Sequence, residues 1–496
     1  MNSIPSRASR VLQGRAWRFA FAVALTALYL LACMAGGPIA SLTRFACEAD
    51  RAAFTDLTGT LLLAVLLALA LRRRMAPAAF LAACAGAAAA LLVRLHMFDQ
   101  VSADYASFLE RWVDTFREGG FGMIREEIGD YNLPYLYILA LIAKSPISDL
   151  YLIKLVSVAF DFALALMMME TVHRFIDERA SLPVFLVVLA LPTVWWNSAY
   201  WAQCDALYVF FIVACLYALL AGRPVVSASL LSLAFCFKLQ TIFFFPMVLF
   251  GLLHKKYRWR HALAFAGTYL LTLVPALLAG RSLLSALTIY VNQSLGQYSD
   301  RLTYNAASIY QFFPQVELAN APQWPWVSAL FDEHQTMDVS LTRWYFTLDT
   351  MWWLQNTTLI AAAVIVLAVL FFLWKRRRFL GFDQVWRMAA FSALFVPLVL
   401  PKMHDRYFYM ADMLCLLYGV RYPRRAFVPM LVIGASFASY MPFLTRARGV
   451  PMIVASMMNI AALAFIARDI LTELRARQAA CPDAPCAQEA FAPERV

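Results

Sequence analysis

Charged residues are scarce in this chain, and that scarcity excludes most soluble proteins. Asp, Glu, Lys and Arg make up 15% of its 496 residues, whereas hydrophobic residues make up 62%. An average soluble domain carries about 25% charged residues. Crossing a bilayer takes roughly 20 apolar residues. Runs of about that length lie at 17–36, 76–97, 150–172, 261–280, 353–374 and 450–467.

Motifs that bind nucleotides or metals are absent as well. The sequence has no GxGxxG, GxxxxGK[ST], HExxH or GxSxG pattern, which argues against nucleotide-binding and zinc-protease functions. Its nine cysteines lie mostly inside apolar runs, where they act as small hydrophobes, and none has zinc-ligand spacing. We therefore predict no cofactor and no metal site, although clustered acids in the first large outer loop would leave room for a divalent cation.

Basic residues are in excess, giving a net charge of +11, but they do not form one patch. They recur as short clusters between the apolar runs, which is typical of cytoplasmic loops and argues against nucleic-acid binding. Placing these clusters inside predicts an all-α, multi-pass protein of the cell (inner) membrane, with about fourteen transmembrane helices and both termini in the cytoplasm. The predicted helices are 17–36, 57–71, 76–97, 150–172, 182–199, 204–221, 225–237, 240–254, 261–280, 353–374, 384–400, 407–420, 426–444 and 450–467.

This topology divides the chain into five predicted segments. The short apolar stretch 132–146 is expected to lie along the outer surface, because a further crossing there would put later basic loops outside. The segments are an N-terminal helical hairpin (1–75), a transmembrane module with the outer loop 98–149 (76–280), a large extracytoplasmic loop (281–352), a C-terminal transmembrane module (353–470) and a cytoplasmic tail (471–496).

Polar clusters at the ends of the apolar segments all fall on the outer side of this topology. They read SADYASFLERW, GDYNLPY, WAQCDALY, FKLQ and KMHDRYFY. A charge at a helix centre costs about 2.5–3.5 kcal/mol, so charges close to lipid are retained for a use. Because the basic loops alone set the topology, this one-sided arrangement predicts an active site that faces outward.

Two aspartates are candidates for a general base. Asp104 stands where a surface helix would begin, so either it caps that helix, as Ser102 could, or it takes a proton from an attacking hydroxyl. Asp130 is a turn former, or else a second acid or an acceptor-binding group. Asp161, inside an apolar run, is expected to pair with Lys154 or with a neighbouring helix.

The remaining clusters suit a phosphate and a sugar. Lys238, among phenylalanines, either reaches the interface or binds a lipid-linked phosphate, for which the basic turn after Pro401 is also suited. Aromatic and polar residues near Asp205 suit a sugar ring, with helix capping by Asp205 as the other interpretation. The predicted substrate-binding residues are Gln203, Asp205, Lys238, Gln240, Lys402, His404, Asp405 and Arg406.

In the order and common side of these motifs, the chain resembles the GT-C superfamily of polyprenyl-phosphate-sugar-dependent glycosyltransferases. It is similar to bacterial proteins related to GPI-anchor mannosyltransferase II and, more distantly, to dolichyl-phosphate-glucose-dependent glucosyltransferases. The resemblance implies that Asp104 is the catalytic base and that His404, Asp405 and Arg406 help bind the donor phosphate.

The chain departs from that pattern in two places. Ala202 stands where glycine is expected in WAQCD, and the helices 17–36 and 57–71 precede the usual first helix. The additional hairpin leaves partner or accessory roles open.

Together these features predict an integral-membrane glycosyltransferase. It would move a hexose, with mannose the first candidate, from a polyprenyl phosphate to an extracytoplasmic lipid, glycan or protein acceptor, with inversion. A lipid-linked donor is expected because sugar nucleotides are cytosolic. A lipid or polysaccharide transporter (a flippase) is the alternative, although its polar groups should spread through the membrane depth. A structural subunit of a cell-envelope complex is the third hypothesis.

Overall fold

A computed structural model describes residues 7–34, 51–72, 75–129, 131–296, 302–313, 348–445 and 450–480. Almost all of this part of the chain is helical, which confirms the predicted all-α class. Asp130, much of the second outer loop (314–347) and the end of the tail (481–496) lie outside the described residues.

The α-helices follow the apolar runs of the sequence, because a helix satisfies its own backbone hydrogen bonds. In chain order they are α1 (Arg7–Met34), α2 (Arg51–Ala70), α3 (Pro77–Leu95), α4 (Glu110–Gly119), α5 (Leu133–Ile142), α6 (Asp149–Phe175), α7 (Ser181–Ala190), α8 (Pro192–Trp195), α9 (Asp205–Leu220), α10 (Pro224–Phe237), α11 (Phe245–Leu253), α12 (Trp259–Leu278), α13 (Leu283–Gly296), α14 (Leu348–Lys375), α15 (Val385–Val399), α16 (Tyr409–Arg421), α17 (Phe427–Thr445) and α18 (Met452–Ala480).

Short elements connect these helices. They comprise two π-helical turns, two short strands and six 3₁₀ turns within the described residues. The π-helical turns are Tyr105–Leu109 and Trp196–Tyr200, the strands are β1 (Thr303–Tyr304) and β2 (Met403–His404), and the 3₁₀ turns are Phe121–Arg125, Glu178–Ala180, Leu239–Phe244, Ile309–Phe312, Phe382–Gln384 and Pro423–Arg425.

Every predicted helix has a counterpart in the structure, but the predicted count of about fourteen crossings is not confirmed. Within the described residues, eight helices are long and apolar enough to span a membrane, or nine if Glu178–Ala190 and Pro192–Tyr200, bent by 48°, form one span. α9, α10, α15 and α16 have between 13 and 16 residues. At about 1.5 Å a residue they reach at most about 24 Å, short of the roughly 30 Å hydrocarbon core.

The chain divides into two compact units. The first comprises Met1–Gly129, Tyr135–His173 and Glu178–Phe210, and the second comprises Asp130–Pro134, Arg174–Asp177 and Phe211–Val496. In the first unit α1 packs on α2, α2 on α3, and α3 on α7. A buried hydrogen bond of 2.6 Å between the hydroxyls of Tyr29 and Thr58 joins α1 to α2.

In the second unit α15 is the central helix. It packs against α11, α16 and α18, and 13 of its 15 residues are buried. A helix that is apolar all round requires such neighbours on every side. The segment 302–313 is held against this core, because the Tyr310 hydroxyl donates to the Val399 carbonyl at 2.8 Å and Asn459 Nδ2 donates to the Ala307 carbonyl at 2.9 Å.

Candidate active site

Asp104 is held by two hydrogen-bond donors in the first unit. Its Oδ2 atom accepts from Trp201 Nε1 at 2.9 Å and from Gln203 Nε2 at 2.7 Å. Trp201 and Gln203 are buried, whereas Asp104 is half-buried. Because an indole N–H can only donate, these contacts fix the carboxylate as an acceptor and set its direction. Gln203, predicted to bind substrate, therefore contacts the predicted base directly.

The cap of the helical segment that follows is Ser102, not Asp104. Ser102 Oγ accepts from the backbone N–H of Tyr105 at 3.1 Å and donates to the Trp201 carbonyl at 2.7 Å. Asp104 makes no capping hydrogen bond. Ser102 therefore caps this helical segment, and the Asp104 side chain is directed towards the loop at Trp201.

The backbone around this carboxylate is irregular on both sides. The π-helical turn Tyr105–Leu109 follows Asp104 directly, and the turn Trp196–Tyr200 directly precedes Trp201. Ala202 has a φ of +64°, in the left-handed region. This region costs a residue with a Cβ about 1–2 kcal/mol, which gives a physical reason for the glycine expected there. Single π turns and left-handed residues often mark functional sites.

Asn197 fixes the loop that carries Gln203. Its Nδ2 donates to Asp205 Oδ2 at 2.6 Å, and its carbonyl accepts the Gln203 backbone N–H at 2.8 Å. Asp205 is buried and begins α9. Its predicted contact with a sugar stays a prediction, while its bond to Asn197 gives it a defined part in the loop. Nothing in WWNSAYW identifies this partner, so Asn197 was not predicted as a functional residue.

A buried ion pair supports the same loop. Asp161 Oδ2 accepts from Arg94 Nε at 2.8 Å and from Ser198 Oγ at 2.6 Å, and the side chains of Asp161 and Arg94 are fully buried. Asp161 was predicted to pair with Lys154 or a neighbouring helix, and its partner lies on the neighbouring helix α3. A charged residue within an apolar run was the available signal for Arg94.

Lys154 has a different task. Its ammonium donates to the carbonyls of Met97, Phe98 and Gln100 at 2.6–3.0 Å. These carbonyls follow the end of α3, where backbone acceptors have no helical partners. Lys154 therefore anchors the chain that leads into Asp104.

A second cluster forms in the second unit where β1 and β2 pair in parallel. Tyr304 is opposite His404, and their rings stack with centroids 4.7 Å apart and planes inclined by 14°. The Lys402 backbone N–H donates to the Leu302 carbonyl at 2.7 Å. Lys402 and Asn305 have φ values of +61° and +55°, so strained backbone is found here too.

The histidine of this cluster is neutral, and two cations lie near it. Burial and, to a smaller extent, the charges of Arg406 and Lys238 lower the pKa of His404 to about 3. Lys238 is buried, and its ammonium lies 5.3 Å from the centre of the Tyr131 ring. At neutral pH the cluster therefore presents the cations of Lys238 and Arg406 beside an uncharged imidazole.

The other predicted residues of this region are placed as follows. Asp405 is buried, and its Oδ1 accepts the backbone N–H of Arg406 at 3.0 Å, which closes the turn. Burial lowers the pKa of Lys402. Gln240 is buried in the 3₁₀ turn that follows Lys238. Within the described residues, no group of three or more His, Cys, Asp or Glu side chains could hold a metal ion.

Comparison with known proteins identifies a family that covers more than half of the chain. The model of glycosyltransferase family 87 matches residues 131–401, more than half of the chain. The match includes Gln203, Asp205, Lys238 and Gln240, while Asp104 precedes it and the turn that begins at Lys402 follows it. No curated protein matches the chain.

Proposed function

The chain belongs to glycosyltransferase family 87 and is a membrane glycosyltransferase, and we propose that it transfers a hexose from a polyprenyl-phosphate donor to an acceptor hydroxyl. The observation that carries this proposal is the half-buried Asp104 carboxylate, oriented by Trp201 and Gln203. Transfer requires removal of a proton from the attacking hydroxyl, and an oriented carboxylate is suited to that step.

In the proposed reaction, the acceptor oxygen attacks the anomeric carbon while Asp104 takes the hydroxyl proton. The bond between the anomeric carbon and the phosphate oxygen breaks, and polyprenyl phosphate leaves with the electron pair. A single displacement inverts the anomeric configuration. No proton donor to the leaving group is required, because a phosphate is stable as an anion.

The side chains of His404, Lys238 and Arg406 form what we call the His404 cluster, which is suited to binding the donor phosphate. Lys238 and Arg406 would hold the negatively charged phosphate of the donor, and the neutral imidazole of His404 could donate one hydrogen bond to it. Asp405 would maintain the turn instead of contacting substrate. Asp130 remains the reserve candidate for the base.

The membrane setting follows from the same proposal. The basic loops favour an inner-membrane protein with both termini in the cytoplasm and the site on the extracytoplasmic face, where a lipid-linked donor replaces sugar nucleotides. Mannose is the first sugar to test, and the acceptor is a lipid, glycan or protein outside the cytosol. The family match does not favour the transporter hypothesis.

The test is a transfer assay with the full-length protein in lipid vesicles. Radiolabelled polyprenyl-phosphate mannose and polyprenyl-phosphate glucose are supplied in parallel, with an envelope-lipid extract as acceptor. We expect covalent transfer from one of them, and Asp104→Asn should lower turnover about 10²- to 10⁴-fold, the usual contribution of a general base. Donor binding by this variant should be retained.

The control is Asp114→Asn, which alters a carboxylate of the same outer loop that is paired only with an exposed arginine, Arg117. It should leave turnover unchanged. Equal turnover in both variants would reject Asp104 as the base. Movement of the labelled lipid across the bilayer without covalent transfer would instead support a transporter.

A further inference from the structure

An apolar groove lies on the second unit between α11, α14 and α15. Its volume is about 410 Å³, within the range of roughly 300–1,000 Å³ found for small-molecule sites. None of its lining residues belongs to the Asp104 cluster (Asp104, Trp201 and Gln203) or to the His404 cluster. The lining includes Leu249, Phe250, Leu367, Phe371, Trp374 and Met388.

The groove is open at the surface of the second unit, and one of its helices, α14, includes a stretch long and apolar enough to span a membrane. Leu249, Leu367 and Phe371 are 41%, 64% and 61% exposed, although all three are apolar. Only 11% of the apolar span Trp353–Lys375 is buried within the protein. A hydrocarbon chain is the chemistry that such a surface accepts in a bilayer.

Cations stand at one end of the groove. The Arg377 guanidinium lies 4.8 Å from the ring centre of Trp374, a lining residue, and Arg377 also donates to the Trp374 carbonyl at 3.1 Å. The Lys256 ammonium lies 4.6 Å from the Phe382 ring, which stacks at 5.8 Å on Phe250, a second lining residue. Two aromatic rings of the lining are thus linked to positive charges.

The acids of this region are already engaged. Asp383 Oδ2 accepts from Arg477 at 2.7 Å, and Glu473 Oε1 accepts from the same guanidinium at 2.9 Å. Further basic residues flank Lys256 and Arg377 in sequence, so the rim has a surplus of positive charge. These flanking residues are Lys255, Lys375, Arg376 and Arg378.

We propose that the groove and its rim form a binding site for an anionic phospholipid. One acyl chain lies along the apolar lining, and the phosphate contacts Lys256 and Arg377. Basic rims beside membrane-facing grooves attract anionic headgroups, whereas a zwitterionic headgroup gains little from them. This site is independent of the proposed transfer reaction and of the Asp104 cluster.

Native mass spectrometry of the purified full-length protein tests the proposal. The protein is released from micelles that contain phosphatidylglycerol and phosphatidylcholine in equal amounts. We expect phosphatidylglycerol to be retained about fivefold more, and Lys256→Gln with Arg377→Gln should abolish this preference. The matched control, Arg421→Gln with Arg424→Gln, removes two charges from another exposed basic cluster and should preserve it.

A second variant tests the groove itself. Leu249→Trp fills part of the lining, so it should reduce retention of either lipid while leaving the melting temperature unchanged. Equal retention of both lipids by the unaltered protein would overturn the proposal. So would equal effects of the rim variant and of the Arg421 and Arg424 control, which would indicate diffuse attraction. Unaltered retention of lipid by Leu249→Trp would also overturn it.

Discussion

The Asp104 cluster and the His404 cluster are built by different means. Around Asp104, side chains from separate segments hydrogen-bond one another above a buried ion pair. Around His404, two short strands pair through their backbones, the Tyr304 ring stacks on the imidazole, and the tilted Tyr407 ring contacts it. The first arrangement directs one carboxylate, and the second concentrates positive charge beside a neutral ring. In the proposed function, the first cluster removes the proton and the second binds the phosphate.

The largest effect that separates the two roles is expected from Arg406. Arg406→Gln removes a charge-assisted contact, typically about 1.5–3 kcal/mol, so the KM for the donor should rise about 10- to 100-fold. Turnover at saturating donor should change much less. Steady-state kinetics with the labelled donor measure both, with exposed Arg125→Gln as control. A fall in kcat with an unchanged KM would place Arg406 in the chemical step instead.

Gln203 should show the opposite kinetic pattern. Gln203→Leu removes one of the two donors that orient Asp104, so kcat should fall roughly 10-fold while the KM for the donor stays constant. The control is Gln100→Leu, which alters an exposed glutamine of the segment that leads into Asp104. A raised KM for the donor or for the acceptor in Gln203→Leu would mean that Gln203 binds substrate, as was predicted from the sequence.

Lowering the pH should reduce the stability of the folded protein through protonation of His404. Because burial lowers the pKa of His404 to about 3 from an ordinary 6.5, the unfolded chain binds the proton more readily between those values. Stability should therefore fall as the pH decreases below 6.5, by up to about 1.4 kcal/mol per pH unit for this group. Melting temperatures should show this slope, and His404→Gln should reduce it.

His254 provides a check on that assignment. Burial and the Lys256 charge lower its pKa to about 4, so His254→Gln should remove a separate share of the slope. If His404→Gln leaves the dependence of melting temperature on pH unchanged, the pKa of His404 is not lowered in the folded protein.

The sequence predicted elements well and partners poorly. The helix α13 lies within the predicted outer loop 281–352 and was not predicted. Apolar runs located each of the predicted membrane helices, since a run of the right length has few other structures available in a membrane. They could not identify the partner of Asp161, which is 67 positions away in Arg94. The hydrophobicity of a run does not indicate which other helices pack against it. It also could not decide which of the shorter helices cross, because a span requires length as well as apolarity.

The candidate site was predicted in the same uneven way. Asp104 and Gln203 were both selected, but with unrelated roles, and only the fold shows their hydrogen bond. The glycine expected at position 202 was informative, because Ala202 occupies the left-handed region that glycine adopts freely. Nothing local to the sequence indicated that Asn197 binds Asp205.

The smallest expected effect concerns that backbone. Ala202→Gly should stabilise the protein by about 0.5–1 kcal/mol, because relief of the strained φ exceeds the entropy that glycine loses on folding. The buried Ala199, in the adjacent π-helical turn, is the control, and Ala199→Gly should destabilise by a similar amount. Thermal or denaturant unfolding in detergent measures both. Equal signs for the two variants would contradict the strain at Ala202.

Chemical rescue tests the assignment of Asp104 most directly. Asp104→Ala removes the carboxylate, and added formate should restore transfer in a saturable manner, giving the same inverted product as the unaltered protein. Retention of configuration in the product of the unaltered protein would instead indicate a covalent intermediate, with Asp104 acting as a nucleophile. Wild-type turnover by Asp104→Ala without formate, or a product with retained configuration, would contradict the account.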